Sequence, residues 1–406
     1  MERRVVITGL GIWSCLGTNL DEVRQSLYSG KSGIIFSQAR KDAGFRSALC
    51  ADVPKADLKK YLSRDLRKLM PEEAQYVYLA TIQALEHAKL DQDFLDQNEV
   101  GVIYGNDSVA EATMQALDKF RQAGSTAACG SGAIFQSMNS TVTMNLATLL
   151  HLRGINLTAS AACASGSHSV GLGYLLIKDG LQDCIICGGA QEANMFSVAS
   201  FDGLMAFSTR EDEPTKASRP FDRDRDGLVP GGGAATLVLE SYEHAVKRGA
   251  PILAEIVGWG FSGNGDHIST PNVAGPTRSL ELCLKNGGIN PRDIGYINAH
   301  ATSTHAGDGR EALAIANIFG DYRVPVTSTK SQTGHEMWMA GASELIYSIL
   351  MMKNDFIGGS LNFENPDEDT ACINVIPETR EAHFDMFLSN SFGFGGTNSS
   401  LIIKNL

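Results

Sequence analysis

The chain alternates two hydrophobic patterns along its whole length. Short runs of β-branched and other apolar residues, which are typical of strands, precede stretches whose apolar residues recur every three or four positions, which are typical of helices. The strand-like runs are RVVITGLG, EVGVIYGND, INLTAS, CIICGG, AATLVLES, IGYINAH, VPVTSTK, FLSNSFGFGG and SSLIIKNL. Helical periodicity is clear near residues 19–28 and over residues 164–178. This alternation predicts an α/β fold with mixed sheets.

A weak internal repeat relates the two halves of the chain. An offset of 175 residues places Gly166 on Gly341, Leu175 on Leu350 and Lys178 on Lys353, within two apolar helical stretches. The match is short, but it agrees with a duplicated α/β unit. We therefore expect two domains, residues 1–250 and residues 251–406.

Composition and charge narrow the class of protein. The 406 residues are 43% hydrophobic, which is enough for a large core, and the net charge of −12 disfavours nucleic acid as a partner. No apolar stretch approaches the roughly 20 residues of a membrane span. The run VVITGLG breaks at Gly9, which favours a first strand over a secretory signal. We expect a cytoplasmic protein without a membrane span.

The eight cysteines do not suggest a disulfide framework, because they are scattered and most lie among apolar residues. Cys184 and Cys187 have the spacing of a metal-binding pair. They lie on a predicted buried strand, however, where residues three positions apart face opposite sides, and no second pair follows. We therefore expect no metal site.

Cys163 stands at the centre of the segment TASAACASGSHSV. The residues before it are strand-like and those after it are helical, so the thiol is expected at a helix N-terminus. Unpaired N–H groups and the helix dipole favour the reactive thiolate at such a position. The small neighbouring side chains leave room for a substrate carbonyl to approach the sulfur, with backbone amides directed at its oxygen. From this segment alone, Cys163 is either a nucleophile or a small core residue.

Two histidines follow predicted strands in the second half. In INAHATSTHAGDGREALAI, a strand ends at His300 and a helix opens around Asp308, with Glu311 in an arrangement like a capping box. In TSTKSQTGHEMWMAGASE, Lys330 lies in a turn and His335 precedes a long apolar helix. Open α/β sheets place their sites at the carboxyl ends of strands, so both histidines are functional candidates, although each alone is also compatible with a structural role.

The segment SNSFGFGGTNSS lies between the last two predicted strands. It is not a phosphate-binding P-loop, because no Gly-Lys-Ser/Thr follows. Two interpretations stay open. The segment is either a glycine hairpin with structural phenylalanines or a mobile loop whose amides and Phe394 border a pocket.

Several ordered motifs together resemble the β-ketoacyl-acyl carrier protein synthases, the condensing enzymes of fatty acid and polyketide synthesis. They are SAACASG, ASRPFDRDRDGLVPGGGAA, HATSTHAGDGREALAI, TSTKSQTGH and SNSFGFGGTN. The resemblance covers nearly the whole chain and is closest to the type I elongation enzyme. It implies a duplicated thiolase-like fold layered α-β-α-β-α with two mixed sheets, and a homodimer or a heterodimer with a related subunit. Acyl carrier protein is the implied partner, and no cofactor is implied beyond the carrier's phosphopantetheine.

The resemblance also implies a role for each candidate residue. Cys163 would accept an acyl group from carrier protein as a thioester. His300 and His335 would bind the malonyl thioester, assist its decarboxylation and stabilise the enolate, which attacks the acyl group. Lys330 would orient and polarise the two histidines, and Glu311 would support the surrounding loops. The remaining positions, which would bind substrate, form the oxyanion hole and gate the pocket, are Thr302, Phe392, Gly393 and Phe394.

Three positions depart from the usual family pattern. Ala301 and Trp338 stand where family members usually have glycine, and Leu228 replaces a usual phenylalanine. Trp338 lies only three residues after His335. We expect it to shorten or flatten the acyl pocket, as would suit an unsaturated, polyene-type chain.

A basic cluster is the candidate docking site for the acidic carrier protein. Arg64, Arg67 and Lys68 have helical spacing that places them on one face. A solvated helix face is the alternative interpretation. Asp65 stands where relatives have a basic residue, and a second basic pair that some relatives carry past residue 120 is missing, so docking is expected to be weaker or differently arranged.

Two rival functions fit the sequence less well. A thiolase needs a second catalytic cysteine near the C-terminal glycine loop, and SNSFGFGGTN contains none. A non-catalytic chain-length partner typically loses the nucleophile, whereas this chain keeps Cys163 and both histidines. The condensing activity is therefore the preferred hypothesis.

Overall fold

The computed structural model describes residues 3–406, which form fifteen strands and fifteen α-helices. The strands are β1 (Val5–Trp13), β2 (Ile34–Phe36), β3 (Leu49–Ala51), β4 (Val100–Gly105), β5 (Asn156–Ala159), β6 (Cys184–Gln191), β7 (Gly233–Ser241), β8 (Ala254–Gly263), β9 (Tyr296–Asn298), β10 (Pro325–Thr327), β11 (Phe356–Ile357), β12 (Asn374–Val375), β13 (Arg380–Glu381), β14 (Met386–Gly393) and β15 (Thr397–Lys404). The helices are α1 (Leu20–Ser29), α2 (Gln38–Asp42), α3 (Arg64–Arg67), α4 (Glu72–Ala88), α5 (Gln92–Gln97), α6 (Glu111–Ala123), α7 (Ala133–Ser137), α8 (Thr141–Leu149), α9 (Ser165–Lys178), α10 (Ala199–Gly203), α11 (Tyr242–Lys247), α12 (Ala274–Gly287), α13 (His305–Phe319), α14 (Lys330–Thr333) and α15 (Ala340–Lys353).

Local sequence signals set the ends of the two helices predicted from periodicity. The side chain of Asn19 accepts the N–H of Glu22 over 2.9 Å and caps α1, which ends before Gly30 in a left-handed conformation. Helix α9 begins one residue after the predicted start at residue 164 and ends, as predicted, at Lys178. Both predictions are confirmed to within a residue.

The main sheet has eleven strands in the order β12-β10-β9-β14-β15-β8-β1-β7-β6-β4-β5. From its centre outwards, β1, β7, β6, β4 and β5 correspond in order to β8, β15, β14, β9 and β10, with the same parallel and antiparallel pairing. The topology thus repeats, as the offset suggested. The two predicted mixed sheets are hydrogen-bonded to each other, because β1 pairs with β8 from Val5 to Ile7.

The helices lie in three layers separated by the two halves of the sheet. Helix α4 packs on β1 and β7, α12 packs on β8 and β15, and α9 and α15 pack against each other between the halves. Residues of β6 alternate between these layers: Cys187 belongs to the central core and Cys184 to an outer core. The two cysteines therefore face opposite sides of the sheet, as predicted, and do not form a chelating pair.

The central helix pair brings the two halves together at the site. Helix α15 starts and ends 175 residues after α9, and the two helices touch at Gly166 and Gly341. A Cβ atom on Gly166 would lie 2.9 Å from the backbone nitrogen of Ala342, and one on Gly341 would lie 2.5 Å from that of Ser167. The approach therefore requires glycine at both positions. It places the segments that precede the two helices, which carry Cys163 and His335, next to each other.

Within residues 3–406, no helix combines the length and the hydropathy that crossing a membrane requires.

Candidate active site

Cys163 lies on a strained turn between β5 and α9. The preceding residue, Ala162, has a left-handed backbone with φ 46°, which a non-glycine residue adopts only when its surroundings enforce it. The N–H of Ala162 donates to Oδ2 of Asp107 over 3.0 Å, and Ser165 Oγ donates to the Ala162 carbonyl over 2.6 Å. These bonds hold the turn that presents the sulfur.

The cysteine is protonated at neutral pH, contrary to our expectation for a helix N-terminus. Burial raises the pKa of the Cys163 thiol to about 12, although the Lys330 cation and the backbone N–H groups of Phe394 and Cys163 oppose this rise. Desolvation of the thiolate therefore outweighs the helix N-terminus. Both N–H groups lie next to the sulfur, from where they can donate to the oxygen of a carbonyl group bonded to it, as the donors of an oxyanion hole do.

Gly393 lets the last hairpin approach the nucleophile. A Cβ atom there would lie 3.1 Å from the backbone nitrogen of Cys163 and 3.0 Å from the carbonyl oxygen of Ala161. The segment Phe394–Gly396 is a 3₁₀ turn between β14 and β15, and Phe394 is 37% exposed beside the cavity. The sequence left two interpretations of this segment open, a glycine hairpin or a loop that borders a pocket. In the structure it is a hairpin connection that also borders the cavity.

Glu311 supports the His300 loop and does not form a capping box. Helix α13 begins at His305, three residues before the predicted start, so Glu311 lies in its second turn. Its carboxylate accepts the backbone N–H groups of His300 over 2.9 Å and of Ala301 over 2.7 Å. Burial raises the pKa of Glu311 to about 7, and these hydrogen bonds act in the opposite direction.

The sequence suggested that His335 follows the end of a strand. This prediction is wrong, because α14 lies between β10 and His335. Its backbone instead pairs with a neighbouring loop: its N–H donates to the Val229 carbonyl over 2.6 Å, and its carbonyl accepts the N–H of Gly231 over 2.7 Å. The N–H of Met337 donates to His335 Nδ1 over 3.2 Å. Because Nδ1 is the acceptor, the ring proton is on Nε2.

The two imidazole rings form a neutral pair. The rings of His300 and His335 meet edge to face with centroids 5.3 Å apart. Burial, reinforced by the nearby Lys330 cation, lowers the pKa of each well below its usual value. Nε2 of His335 is buried and has no hydrogen-bond partner among residues 3–406. This N–H donor is therefore available to a substrate oxygen.

Lys330 acts on the histidines through its charge rather than by contact. Its ammonium forms a close ion pair with Glu344, and both side chains are 1% exposed. Burial raises the pKa of Glu344, and the attraction of the Lys330 ammonium opposes this rise. Glu344 was missed in the sequence, although an acidic residue inside an apolar helical run requires a buried partner and was therefore a usable signal.

One cavity of about 310 Å³ joins the predicted residues. Cys163, His300 and His335 all line it, which confirms the predicted convergence of the sulfur and both rings on a common cavity. The other predicted residues on its wall are Thr302, Glu311, Phe392, Gly393 and Phe394. Lys330 and Trp338 lie behind the lining, and Phe201 and Leu228 contribute apolar wall that the sequence did not assign to substrate.

The predicted docking face is smaller than its sequence suggested. Helix α3 is only four residues long, and Arg64 is exposed on it. Lys68 pairs with Asp65 over 3.0 Å, and the guanidinium of Arg67 donates to the Leu62 carbonyl over 3.2 Å. Arg64 is therefore the one member of the trio whose side chain forms no ion pair or hydrogen bond within residues 3–406.

The family models "Beta-ketoacyl synthase, N-terminal domain" and "Beta-ketoacyl synthase, C-terminal domain" match residues 2–245 and 253–364. The chain is 41% identical to the 3-oxoacyl-[acyl-carrier-protein] synthase 1 of Haemophilus influenzae, with 99% of each chain covered. It is similar in structure to a β-ketoacyl synthase from Burkholderia phymatum, with TM-score 0.95, 37% identity and full coverage of both chains.

A further solved structure includes a carrier protein. It is described as a type II PKS acyl-carrier protein in complex with its ketosynthase, and this chain matches it with TM-score 0.89 and 27% identity over the full length of both chains. The two family models together span most of the sequence, and the curated relatives match end to end. The chain belongs to the β-ketoacyl synthase family.

Proposed function

We propose that this protein is a 3-oxoacyl-acyl carrier protein synthase that extends an acyl chain by two carbons. The observation that carries the proposal is the shared cavity, where a buried thiol meets two neutral imidazoles. Family membership supports the same activity. A thiol supplies covalent capture, and neutral imidazoles supply hydrogen bonds to a developing enolate.

The first half-reaction is transfer of an acyl group to Cys163. The sulfur attacks the thioester carbonyl of the acyl carrier, the bond between that carbon and the carrier sulfur breaks, and the thiol proton passes to the departing carrier sulfur. The N–H groups of Cys163 and Phe394, which lie next to the sulfur, are suited to hold the negative oxygen of the tetrahedral intermediate. The high pKa of the thiol means that the resting enzyme holds this proton.

The second half-reaction consumes a malonyl thioester. Loss of carbon dioxide leaves an enolate, and His300 and His335 donate hydrogen bonds to its oxygen. The enolate carbon attacks the acyl carbonyl, the bond to Cys163 sulfur breaks, and the released thiolate takes a proton from solvent. The tautomer of His335 supports this role, because its Nε2–H faces no protein acceptor within the described chain.

The remaining site residues position these groups. Burial keeps the histidines neutral, and the charge of Lys330, which is paired with Glu344, reinforces this state. Glu311 fixes the loop that carries His300. Phe394 and Phe392 border the cavity as its gate, and Thr302 lines the path of the substrate. No cofactor other than the phosphopantetheine of the carrier takes part in this mechanism.

Acyl carrier protein is the proposed partner, and Arg64 is its principal contact, with Arg67 and Lys68 in supporting roles. We propose that the protein forms a homodimer in the cytoplasm. Strand β5 is at the edge of the main sheet, and exposed apolar residues there support an interface: Leu157 is 43% exposed, and Met138, which borders the same shallow surface pocket, is 42% exposed. A related subunit is the alternative second chain.

We also propose that the chain consists of two domains, residues 1–250 and residues 251–406.

The acyl substrate is proposed to be an unsaturated, polyene-type chain. The bulk of Trp338, which belongs to the same apolar cluster as Cys163 and stands where the family resemblance implies glycine, supports this choice. Competition between saturated and conjugated acyl carrier proteins of equal carbon number tests it. A preference for the conjugated chain supports the proposal, and an ordinary preference for long saturated chains overturns it.

The activity itself is tested with purified protein, acyl carrier protein and malonyl carrier protein. Mass spectrometry is expected to find the acyl group on Cys163 and a 3-oxoacyl carrier two carbons longer. The Cys163→Ala variant is the matched control, because it removes only one sulfur atom from a site where the neighbouring small residues keep the turn. Absence of both the adduct and the product with the unmodified protein would overturn the proposal.

A further inference from the structure

The space behind the nucleophile is filled by Trp338. This side chain is 6% exposed and belongs to a small apolar cluster with Cys163, Phe207 and Leu228. Trp338 does not itself line the cavity; it lies behind Phe201 and Leu228, which do. The indole therefore backs the apolar wall beside the sulfur and limits how far that wall can move to admit an acyl group.

Trp338 is fixed by both its backbone and its side chain. Its carbonyl oxygen packs directly against Gly189 of β6 and Gly166 of α9. A Cβ atom would lie 2.7 Å from this oxygen at Gly189 and 3.0 Å from it at Gly166, so the backbone of Trp338 has no space to move towards β6 or α9. The indole Nε1 donates to Ser108 Oγ over 3.2 Å. The ring also lies 6.0 Å, between centroids, from the ring of Phe201, which lines the cavity.

Ser108 belongs to the same loop that holds the nucleophile turn. Its neighbour Asp107 accepts the N–H of Ala162, the residue before Cys163. The loop therefore holds the sulfur and the indole in one fixed relation. A wall tied to the nucleophile in this way resists displacement by a long acyl chain, because moving the indole breaks a hydrogen bond and disturbs the packing around the sulfur.

We infer that Trp338, held by Ser108, is the specificity-determining residue that limits the length of the acyl group accepted by Cys163. The inference rests on the proposed function and deepens it. Acyl groups short enough to lie along Phe201 and Leu228 are accepted, and long saturated groups are excluded. The exclusion acts on the covalent step, before any malonyl group is consumed.

The test uses acyl transfer alone, with pantetheine thioesters as donors so that carrier docking plays no part. Butanoyl-, octanoyl- and dodecanoyl-pantetheine are incubated separately with the full-length protein, and the adduct on Cys163 is followed by mass spectrometry. Wild-type protein is expected to react readily with the butanoyl donor and slowly with the dodecanoyl donor. Trp338→Ala is expected to raise the dodecanoyl rate about tenfold or more relative to the butanoyl rate.

Two further variants distinguish a specific effect of Trp338 on the acyl pocket from a general destabilisation of the fold. Trp13→Ala removes another indole that donates one hydrogen bond, to the Pro54 carbonyl over 2.7 Å, but it packs on a different core. It is expected to keep the wild-type pattern. Ser108→Ala, which keeps the indole and removes its hydrogen-bond acceptor, is expected to shift the pattern in the same direction as Trp338→Ala, but less.

The outcomes are distinct. Equal wild-type rates with butanoyl and dodecanoyl donors overturn the inference while leaving the proposed function in place, as does a Trp338→Ala variant with the wild-type pattern. If Trp338→Ala does not fold, the wild-type profile and Ser108→Ala still decide the question. No adduct from any donor overturns the proposed function and this inference with it.

Discussion

Met337 donates its backbone N–H to Nδ1 of His335 over 3.2 Å, and this bond places the ring proton on Nε2. The residue that makes it has a left-handed backbone with φ 47°, so the turn is held in a conformation that serves the histidine. The proton on Nε2 is therefore set by the main chain rather than by solvent, and the donor is present before substrate arrives.

Removal of this donor is expected to affect decarboxylation more than acyl transfer. His335→Ala should slow release of carbon dioxide from malonyl carrier protein about 100- to 1000-fold, which corresponds to about 3–4 kcal/mol. Acylation of Cys163 should persist, because its oxyanion donors are backbone groups. His305→Ala is the control, since that side chain is exposed at the start of α13. Equal losses in both half-reactions would contradict the assignment.

The thiol of Cys163 is expected to react with iodoacetamide at a rate that keeps rising well above neutral pH. Burial raises its pKa to about 12, so the thiolate fraction should grow about tenfold per pH unit throughout the accessible alkaline range. Peptide mapping of the alkylated protein follows the reaction, and Cys163→Ser identifies the labelled site. A rate that reaches a plateau near pH 8 would mean that the thiolate is stabilised in the resting enzyme.

The buried ion pair between Lys330 and Glu344 predicts unequal effects from removing its two members. Glu344→Gln leaves an uncompensated ammonium in the core and should lower the free energy of unfolding by about 3–5 kcal/mol. Lys330→Met should cost less, because burial raises the pKa of Glu344 and the lone carboxyl, without the opposing ammonium, takes up a proton and becomes neutral. Urea denaturation measures both variants. A larger loss for Lys330→Met would contradict this ranking.

Glu336 predicts a pH dependence of stability. Its carboxyl accepts hydrogen bonds from Ser343 and Tyr347, and burial raises its pKa from 4.5 to about 7. The folded state thus retains a proton that the unfolded state loses, so this group stabilises the fold below pH 4.5 and the contribution is lost as pH rises to 7. Relative to Glu336→Gln, wild-type stability should fall by about 3 kcal/mol across this window. Urea denaturation at a series of pH values measures the free energy of unfolding of both proteins. The same pH dependence in wild type and Glu336→Gln would contradict the assignment.

The docking trio is expected to contribute unequally to carrier-dependent acylation. Arg64→Glu should slow acylation from carrier protein several-fold without changing the rate from pantetheine thioesters, because it alters only the encounter. Lys68→Glu should have the smaller effect, since Asp65 already pairs with that ammonium. Rates compared at low and high salt measure the electrostatic part. A loss with both donors would instead indicate damage to the site.

Much of the fold was readable from local sequence patterns. Periodicity located α1 and α9, and an offset of 175 residues identified the equivalence of α9 and α15. The short pairing of β1 with β8 was not readable, because the β-branched run at Val5–Ile7 is compatible with any neighbouring strand. Register between distant segments depends on tertiary packing, which no local pattern encodes.

The sequence identified the main residues of the site but did not predict their protonation states. The motifs around Cys163, His300 and His335 identified three residues that line one cavity. The state of the thiol was predicted wrongly, because a helix N-terminus is visible in sequence whereas burial is not. Glu311 was assigned to a capping box because its spacing fits one, but the helix begins earlier and its carboxylate turns to the His300 loop.

The most direct test of the central claim follows both half-reactions in one tube. Purified protein is mixed with acyl carrier protein and malonyl carrier protein, and mass spectrometry monitors Cys163 and the carrier-bound product together. The account predicts an acyl adduct on Cys163 that decays as a 3-oxoacyl carrier two carbons longer forms, and no product from Cys163→Ala. Undiminished product from Cys163→Ala, or product formed without any adduct on that sulfur, would contradict it.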